Sequence, residues 1–174
     1  MKATGIIRRI DDLGRIVIPK EIRKNLRIQK GENLELYTDN DNNIILKKYS
    51  QINKIEEVIN IIVDVLSQTI KKDILITSTD KIIITSKAKK KYYNKELSME
   101  IIKQIKHRKE IIIENQSIEI IEGHKEKGYY IISPIITNGD IIGSIIIESK
   151  EEIKPQDKFI VKIISDFLKK YIEE

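Results

Sequence analysis

The spacing of apolar residues changes near residue 50, which predicts two differently built parts of the chain. Before that point, apolar stretches of strand length occupy 4–10 and 15–18, and two more occupy 33–38 and 43–48. The last two flank a segment rich in Asp and Asn, a composition typical of a turn. The first part is therefore expected to contain short strands, with a hairpin over residues 33–48.

One short helix is predicted between the second and third of these strands. Pro19 suits the first position of a helix because its fixed φ is helical and its missing N–H is not needed there. Ile22 and Leu26 are four residues apart and would form the buried stripe of this helix. Gly31 is expected to close it.

About fifty residues with a single two-turn helix bury too little apolar surface to be stable alone. The chain contains no cysteine, so neither a disulfide nor a thiolate metal site adds stability. We therefore expect a partner chain to complete the core of residues 1–49.

From residue 50 the apolar spacing becomes helical, and a helix is predicted over residues 50–66. It carries two apolar stripes, one heptad-like and one shorter. The first consists of Ile52, Ile55, Ile59, Ile62 and Leu66, and the second of Val58, Ile61 and Val65. Two stripes indicate either a helix that packs on its own domain and on a neighbouring chain, or a wholly internal helix. Residues 50–70 are assigned to a linker and oligomerisation helix.

Residues 71–174 alternate between strand and helix patterns. Strands are predicted over 74–78, 81–86, 111–113, 117–121, 129–136 and 141–148, and helices over 93–108 and 153–172. Asn138-Gly139-Asp140 is a strong hairpin turn. The order predicts the α+β class, with an antiparallel sheet and flanking helices.

Charge is concentrated at the N-terminus. The 174-residue chain has a formal net charge of +5, with 40% hydrophobic and 34% charged residues, which favours a folded protein. Residues 1–30 contain nine Lys and Arg against three acidic residues, the distribution expected of a polyanion-binding segment.

No apolar run is long enough to span a membrane, and a cytoplasmic protein is expected.

Catalytic and metal chemistry find little support in the sequence. Residues 39–43 resemble the start of a calcium loop, but Ile44 stands where the loop needs glycine and Ser50 where it needs glutamate. His107 and His124 lie on different elements and are expected to be exposed. No nucleotide or nucleophile motif occurs. We expect no enzyme, no metal and no cofactor.

The short helix presents a basic face opposite its buried stripe. At 100° per residue, Arg23, Arg27, Lys20 and Lys24 lie about 100° to 200° from Ile22. Two further arginines lie outside this helix: Arg8 is in the predicted strand over 4–10, and Arg15 follows the turn at Gly14. Arginine can pair bidentately with guanine, which makes Arg8, Arg15 and Arg23 candidates for base contacts and Lys24 a candidate for phosphate contact. The alternative is that these residues only solubilise a dimer or pair with Asp11, Asp12 and Glu21.

The segment from Thr4 to Arg23, TGIIRRIDDLGRIVIPKEIR, closely resembles the signature of the AbrB-type transition-state regulators, and the similarity continues through LELY at 34–37 to IILKK at 44–48. The resemblance implies a swapped-hairpin β-barrel formed by two chains. It also implies that Arg8, Arg15, Arg23 and Lys24 contact DNA. Lys24 departs from the arginine familiar at that position in the family.

The whole chain resembles sporulation regulators that join this N-terminal domain to a GAF-like sensor domain. Residues 129–144 are similar to the central hairpin of GAF domains. The resemblance indicates a ligand region near Tyr92, Tyr93, Tyr129 and the 123–128 loop, although these tyrosines suit packing equally well. The lysine-rich run at 87–91 is expected to be solvated. The GAF-like domain would sense an unidentified small molecule or serve in oligomerisation.

These observations predict a regulator of sporulation genes, acting as activator, repressor or both, that binds double-stranded DNA as a homodimer through residues 1–49. A homotetramer is expected through the helices at 50–66 and 153–172. Two alternatives remain open. One is an antitoxin that binds DNA and neutralises a toxin, which would have an unstructured C-terminal half. The other is a ligand-binding or interaction protein without specific DNA binding.

Overall fold

An antiparallel hairpin forms the sheet of the N-terminal part of the chain. The computed structural model describes residues 4–49, 52 and 56–173, and the chain divides into one unit of residues 1–49 and another of residues 50–174. In the N-terminal unit, β1 (Leu34–Thr38) pairs with β2 (Ile44–Lys48) in register from Leu34 opposite Lys48 to Thr38 opposite Ile44. The predicted hairpin is confirmed.

The carboxylate of Asp39 organises the turn of this hairpin. Its Oδ1 accepts hydrogen bonds from the backbone N–H of Asp41 and of Asn43, at 3.0 and 2.9 Å. Asn42 adopts a left-handed φ of +60°, which asparagine tolerates better than most residues. The Asp- and Asn-rich segment is thus a hairpin turn, as the sequence predicted.

The predicted short helix is present but ends earlier than expected. Helix α1 (Lys20–Asn25) follows Pro19, and Arg27 just beyond it has a φ of +53°. The N–H of Ile28 donates to the carbonyl of Arg23, and the N–H of Arg27 donates to that of Lys24, which together form a Schellman end. Gly31 was wrongly expected to close the helix; it lies farther on, with a φ of +86° before β1.

The two predicted strands over 4–10 and 15–18 are not formed in the single chain. Both segments are described, and neither carries a ladder of strand hydrogen bonds. A strand exists only when a second strand satisfies its backbone groups. In the chain by itself these segments have no such partner, and the described residues of the N-terminal unit form a two-stranded sheet without a closed barrel.

None of the described residues of the N-terminal unit is buried. The apolar side chains of the two unpaired segments lie in solvent, with Ile7 90% and Val17 74% exposed. In α1, Ile22 is half-buried and Leu26 is 57% exposed, so the predicted buried stripe has no surface to pack on within the single chain. Apolar exposure of this extent indicates surface that another chain covers.

The second unit is built on one five-stranded antiparallel sheet of order β4-β3-β7-β6-β5. The strands are β3 (Asp73–Thr77), β4 (Ile82–Thr85), β5 (Ile111–Ile121), β6 (His124–Thr137) and β7 (Asp140–Ser149). The central strands β3 and β7 have isoleucine and leucine on both faces, because helices cover the sheet on both sides.

Helices α2 (Glu56–Ile70) and α4 (Pro155–Glu173) pack on one face of this sheet. Ile59 and Val63 of α2 and Ile164 and Leu168 of α4 are fully buried there, together with Ile52. The other face is covered by a 3-10 helix (Lys87–Tyr92) and by α3 (Met99–Lys106), which begins where the Ser98 hydroxyl accepts the N–H of Ile101. The α+β class with an antiparallel sheet and flanking helices is confirmed.

Several predicted boundaries in this unit are wrong. The helix predicted over 93–108 begins only at Met99, and the two short strands at 111–113 and 117–121 are one strand with an irregularity after Ile113. The supposed loop at 123–128 lies mostly within β6, because the turn is confined to Glu122 and Gly123. The predicted start of the helix at 50–66 falls at 50, 51 and 53–55, outside the described residues. None of the described helices is long and apolar enough to cross a membrane.

Candidate nucleic-acid interface

The predicted DNA-contacting residues all lie in the N-terminal unit, and most are open to solvent. Arg8, Arg15, Lys20, Arg23 and Lys24 are exposed. Their exposure leaves their cationic groups accessible to a polyanion. Whether they contact DNA stays a prediction.

Arg15 is fixed by the turn that precedes it. The Arg15 Nε donates a hydrogen bond to Asp11 Oδ2 at 2.7 Å, and the backbone N–H of Arg15 donates to Asp11 Oδ1 at 2.8 Å. The backbone N–H of Asp11 donates in turn to the Arg15 carbonyl at 3.0 Å. Gly14 adopts a φ of +76°, in the left-handed region that glycine enters without strain. The Arg15 side chain is nevertheless 71% exposed, so the turn holds it without covering it.

Helix α1 carries the adjacent basic residues. Arg23 and Lys24 occupy its last turn, where positive charge also interacts favourably with the carbonyl end of the helix. Lys20 begins the helix. Because the helix is only six residues long, its main contribution is to orient these side chains, and the electrostatic field of its dipole is a smaller effect.

Arg27 does not belong to the basic helical face that the 100° spacing predicted. The helix has ended at Asn25, and the left-handed backbone of Arg27 turns the chain away from the helical path. Arg27 is half-buried, and its carbonyl accepts a hydrogen bond from Lys48 Nζ at 2.7 Å. The angle assigned to Arg27 was wrong because a helical wheel assumes that the helix continues.

Asp11 is the residue of this surface that the sequence reasoning undervalued. From the sequence, Asp11 was expected only as an ion-pair partner of the arginines, in the alternative in which they do not contact DNA. Its carboxylate also accepts the N–H of Leu13 at 3.0 Å and therefore shapes the turn as well as pairing with Arg15. The hydrogen bonds from the backbone and side chain of Arg15 hold the pKa of Asp11 below its usual value. The spacing Asp-x-x-Gly-Arg was the available signal.

The tyrosines predicted near a ligand site in the second unit have three different surroundings. Tyr92 is buried, and its hydroxyl donates to Glu126 Oε2 at 2.8 Å. Tyr93 is 51% exposed, and Tyr129 is half-buried in β6. The observed role of Tyr92 is therefore to pack and to hydrogen-bond.

A buried ionic cluster lies beside Tyr92. Lys89 Nζ contacts Glu148 Oε1 at 2.8 Å and Glu126 Oε2 at 2.9 Å, and only 8% of Lys89 is exposed. Burial raises the pKa of Glu148. Burial acts in the same direction on Glu126, but hydrogen bonds from Lys89 and Tyr92 outweigh it and lower the pKa of Glu126 to about 2. The prediction that residues 87–91 are a solvated run is wrong for Lys89.

Both histidines are exposed, and they lie on different elements. His107 ends α3, whereas His124 begins β6 and meets the Tyr92 ring edge-on with a centroid separation of 5.7 Å. Within residues 4–49, 52 and 56–173, no three His, Cys, Asp or Glu side chains are grouped so as to hold a metal ion.

The N-terminal unit is similar in sequence to known transition-state regulators. It is 57% identical over 49 residues to the transition state regulatory protein AbrB of Bacillus subtilis (strain 168), an alignment that covers 28% of this chain and 50% of AbrB. Residues 7–54 match a family model described as antidote-toxin recognition MazE, bacterial antitoxin.

The second unit shares its fold with solved structures of distant sequence. The type II free methionine-R-sulfoxide reductase from Thermoplasma acidophilum aligns with a TM-score of 0.53 at 11% identity, covering 71% of this chain and 95% of that one. At this level of identity the similarity concerns the fold alone.

One relative aligns over both units. The stage V sporulation protein T of Bacillus subtilis (strain 168) is 37% identical over 179 aligned positions, covering 100% of each protein. Residues 54–173 match a family model described as stage V sporulation protein T C-terminal, transcription factor. The chain therefore belongs to the stage V sporulation protein T family of transcription factors.

Proposed function

We propose that this protein is a sequence-specific DNA-binding regulator of sporulation genes and that it binds double-stranded DNA as a homodimer through residues 1–49. The observation that carries the proposal is the turn at Asp11–Arg15, which holds an arginine in fixed but exposed position on the most basic segment of the chain. A fixed arginine suits base recognition because its planar fork pairs bidentately with guanine.

Homodimerisation of the N-terminal unit follows from its lack of a core. None of its described residues is buried, while Ile7, Leu13 and Val17 are each at least 74% exposed. A second copy would pair with the segments at 4–10 and 15–18 and close the swapped-hairpin barrel that the sequence predicted. Dimerisation would also duplicate the basic surface, so that two copies of each arginine face one duplex.

We assign base contacts to Arg8, Arg15 and Arg23. Lys20, Lys24 and Arg27 are assigned to phosphate contacts, since lysine acts mainly as a point charge and Arg27 is partly covered. Phosphate contacts fix the position of the protein on the duplex, whereas base contacts supply the sequence preference.

Salt titration of DNA binding tests this assignment. If a dimer neutralises about six to eight phosphates, the logarithm of affinity should fall with the logarithm of salt concentration with a slope of roughly −5 to −7. Arg15→Ala should weaken binding to the preferred site by about 1–3 kcal/mol and relax the sequence preference. Lys24→Ala should weaken binding to all sequences alike and make the slope shallower. A flat salt response, or an unchanged site preference in Arg15→Ala, would refute the proposal.

An antitoxin is the alternative that the match at residues 7–54 brings forward. That alternative predicts an unstructured C-terminal half. The second unit instead contains a five-stranded sheet with helices on both faces. We therefore favour the transcription regulator.

We further propose a homotetramer that forms through α2 and α4. Val58, Ile61 and Val65 are 46–67% exposed along α2, and Phe159, Ile163 and Tyr171 are 41–64% exposed along α4. Each set follows a helical spacing of three, four or eight residues, so it forms a stripe. A second copy of the same unit would cover these stripes.

Modulation by a small molecule is also proposed for the second unit. A cavity of about 500 Å³ opens near the ends of β3 and β7, where Lys72, Asp73, Glu148 and Ser149 line it. Its described lining does not include Tyr92, Tyr93 or Tyr129. If a molecule binding there alters DNA affinity, DNA must alter its affinity by the same factor.

A further inference from the structure

The carboxylate of Asp11 joins a backbone turn to one edge of the Arg15 guanidinium. Its Oδ1 accepts two backbone N–H groups, those of Leu13 and Arg15, while its Oδ2 accepts the side-chain Nε of Arg15 at 2.7 Å. The N–H of Gly14 closes the turn on the Asp11 carbonyl at 2.9 Å. One side chain thus fixes both the backbone that carries Arg15 and the direction of its guanidinium.

The ion pair uses the inner nitrogen of Arg15 and leaves the outer end available. Among the described residues, the contacts of the Arg15 side chain are those made by Nε to Asp11. The two terminal nitrogens, Nη1 and Nη2, form the end of the planar fork that can donate side by side to the O6 and N7 of a guanine. An arginine held through Nε is therefore preorganised for this contact.

We propose that Asp11 is a positioning residue for DNA recognition, which acts by holding Arg15 in its base-reading direction before DNA binds. This inference rests on the proposed function, since it requires that Arg15 contacts a base. Its physical benefit is entropic: an arginine that is already ordered loses less rotamer freedom on binding.

The negative charge of Asp11 has an opposing effect on DNA affinity. A carboxylate near the phosphate backbone repels the duplex, so electrostatics alone predicts that neutralising Asp11 strengthens binding to every sequence. Positioning predicts instead that neutralisation weakens binding to the preferred site relative to other sites. The two effects differ in sign for the preferred site, which makes the proposal testable.

Asp11→Asn removes the arginine contact with little change to the turn. The amide oxygen of asparagine can still accept the N–H groups of Leu13 and Arg15, but its NH₂ group cannot accept from Arg15 Nε. Asp12→Asn is the matched control. It removes the same charge from the neighbouring position, and the described contacts of Asp11 with Arg15 have no counterpart at Asp12.

The experiment uses the full-length protein with two duplexes of equal length and composition. One is selected by the wild type from a random duplex library, and the other is its shuffled sequence. We expect Asp12→Asn to raise affinity for both duplexes equally. Asp11→Asn should raise affinity for the shuffled duplex as Asp12→Asn does, while its preference for the selected duplex falls by about 2- to 12-fold per protomer, the cost of ordering one free side chain. In an Arg15→Ala background, Asp11→Asn should leave the remaining preference unchanged.

The outcomes separate this inference from the proposed function. If the wild type shows no preference for any duplex, the proposed function fails. If the wild type and Arg15→Ala behave as proposed but Asp11→Asn matches Asp12→Asn, the positioning role alone is wrong. Should Asp11→Asn fail to fold, the NMR signal of Arg15 Nε–H in the wild-type protein decides: a slowly exchanging signal is expected, and rapid exchange with solvent would overturn the proposal.

Discussion

Lys89 is a buried cation that balances two carboxylates in the second unit. It lies between the carboxylates of Glu126 and Glu148, and all three are at least partly shielded from water. Two neighbouring carboxylates repel each other and lose hydration, so a buried cation between them offsets both effects. Lys87 and Lys90, in the same 3-10 helix, are exposed.

Replacing Lys89 with methionine should lower the free energy of unfolding of the second unit by about 3–5 kcal/mol at pH 7.5, because two carboxylates lose their partner. The difference from wild type should narrow as the pH falls to 4. Without Lys89, burial raises the pKa of both carboxyls, and protonation then removes their charge. Urea unfolding at both pH values measures this, with Lys90→Met as the control. An equal loss at the two pH values would be inconsistent with this explanation.

In the wild-type protein, the pKa of Glu126 alone gives the opposite pH dependence. Because the pKa of Glu126 in the folded protein is about 2, below its usual value of about 4.5, its stabilising contribution is present above that usual value and is lost as the pH falls towards 2. The contribution of Glu148 to stability has the opposite sign, since its raised pKa in the folded protein favours the folded state at low pH.

The sequence predicted a solvated lysine run at residues 87–91. Four of these five residues are exposed, namely Lys87, Ala88, Lys90 and Lys91. Lys89 could not be singled out, because its burial depends on Glu126 and Glu148, which lie 37 and 59 positions away in sequence. Asp11 is a different case: its partner Arg15 is only four residues away, and the spacing Asp-x-x-Gly-Arg was a local signal, but the way Asp11 orients Arg15 depends on the geometry of the turn.

At the scale of secondary-structure elements, the short helix α1 ends in an unfavourable residue. A left-handed backbone suits glycine at the end of a Schellman motif, and here the position is Arg27, with a φ of +53°. A residue with a Cβ pays roughly 1–2 kcal/mol for that conformation, which the three backbone hydrogen bonds at residues 26–28 offset.

Arg27→Gly should therefore raise the free energy of unfolding of the N-terminal unit by roughly 0.5–1 kcal/mol, after the greater chain entropy of glycine is subtracted. Asn25→Gly, which places glycine in helical backbone two residues earlier, should lower it. Thermal unfolding of the full-length variants provides the comparison. A loss of stability in Arg27→Gly would show that the Arg27 side chain contributes more to stability than its left-handed backbone conformation costs.

Elements with strong local patterns were predicted best. The hairpin of β1 and β2, the β6–β7 hairpin at Asn138-Gly139 and the terminal helix α4 were all recognised from spacing and turn residues. The start of α3 was predicted too early because Leu97 is buried for a different reason: it packs against the sheet from an isolated β-bridge with Ile121, before the helix begins. Apolar spacing reports burial, and it indicates a helix only where the backbone is regular.

At the scale of the whole molecule, apolar surface remains uncovered on both units. The N-terminal unit exposes the side chains of its unpaired segments, and the second unit exposes stripes on α2 and α4. Surface of this kind is characteristic of contacts between copies. The sequence predicted contacts between copies from core size and from the two apolar stripes.

Ile61→Glu and Ile163→Glu should each convert the proposed tetramer to a dimer, because each places a charge in an apolar contact without touching the core. Light scattering after size exclusion measures the mass. Glu57→Lys, which changes an exposed charge on α2 without adding one to the stripe, serves as the control. A wild-type protein that elutes as a dimer, with both variants unchanged, would exclude the tetramer.

Amide hydrogen exchange of the full-length protein over residues 4–18 tests whether the N-terminal units of two chains complete one shared core. We expect slow exchange at 4–10 and 15–18, because backbone groups of a second chain would bond to these amides, and faster exchange on dilution as the dimer separates. Exchange of these amides at the rate of an unstructured peptide, at a concentration where the protein binds DNA, would contradict it.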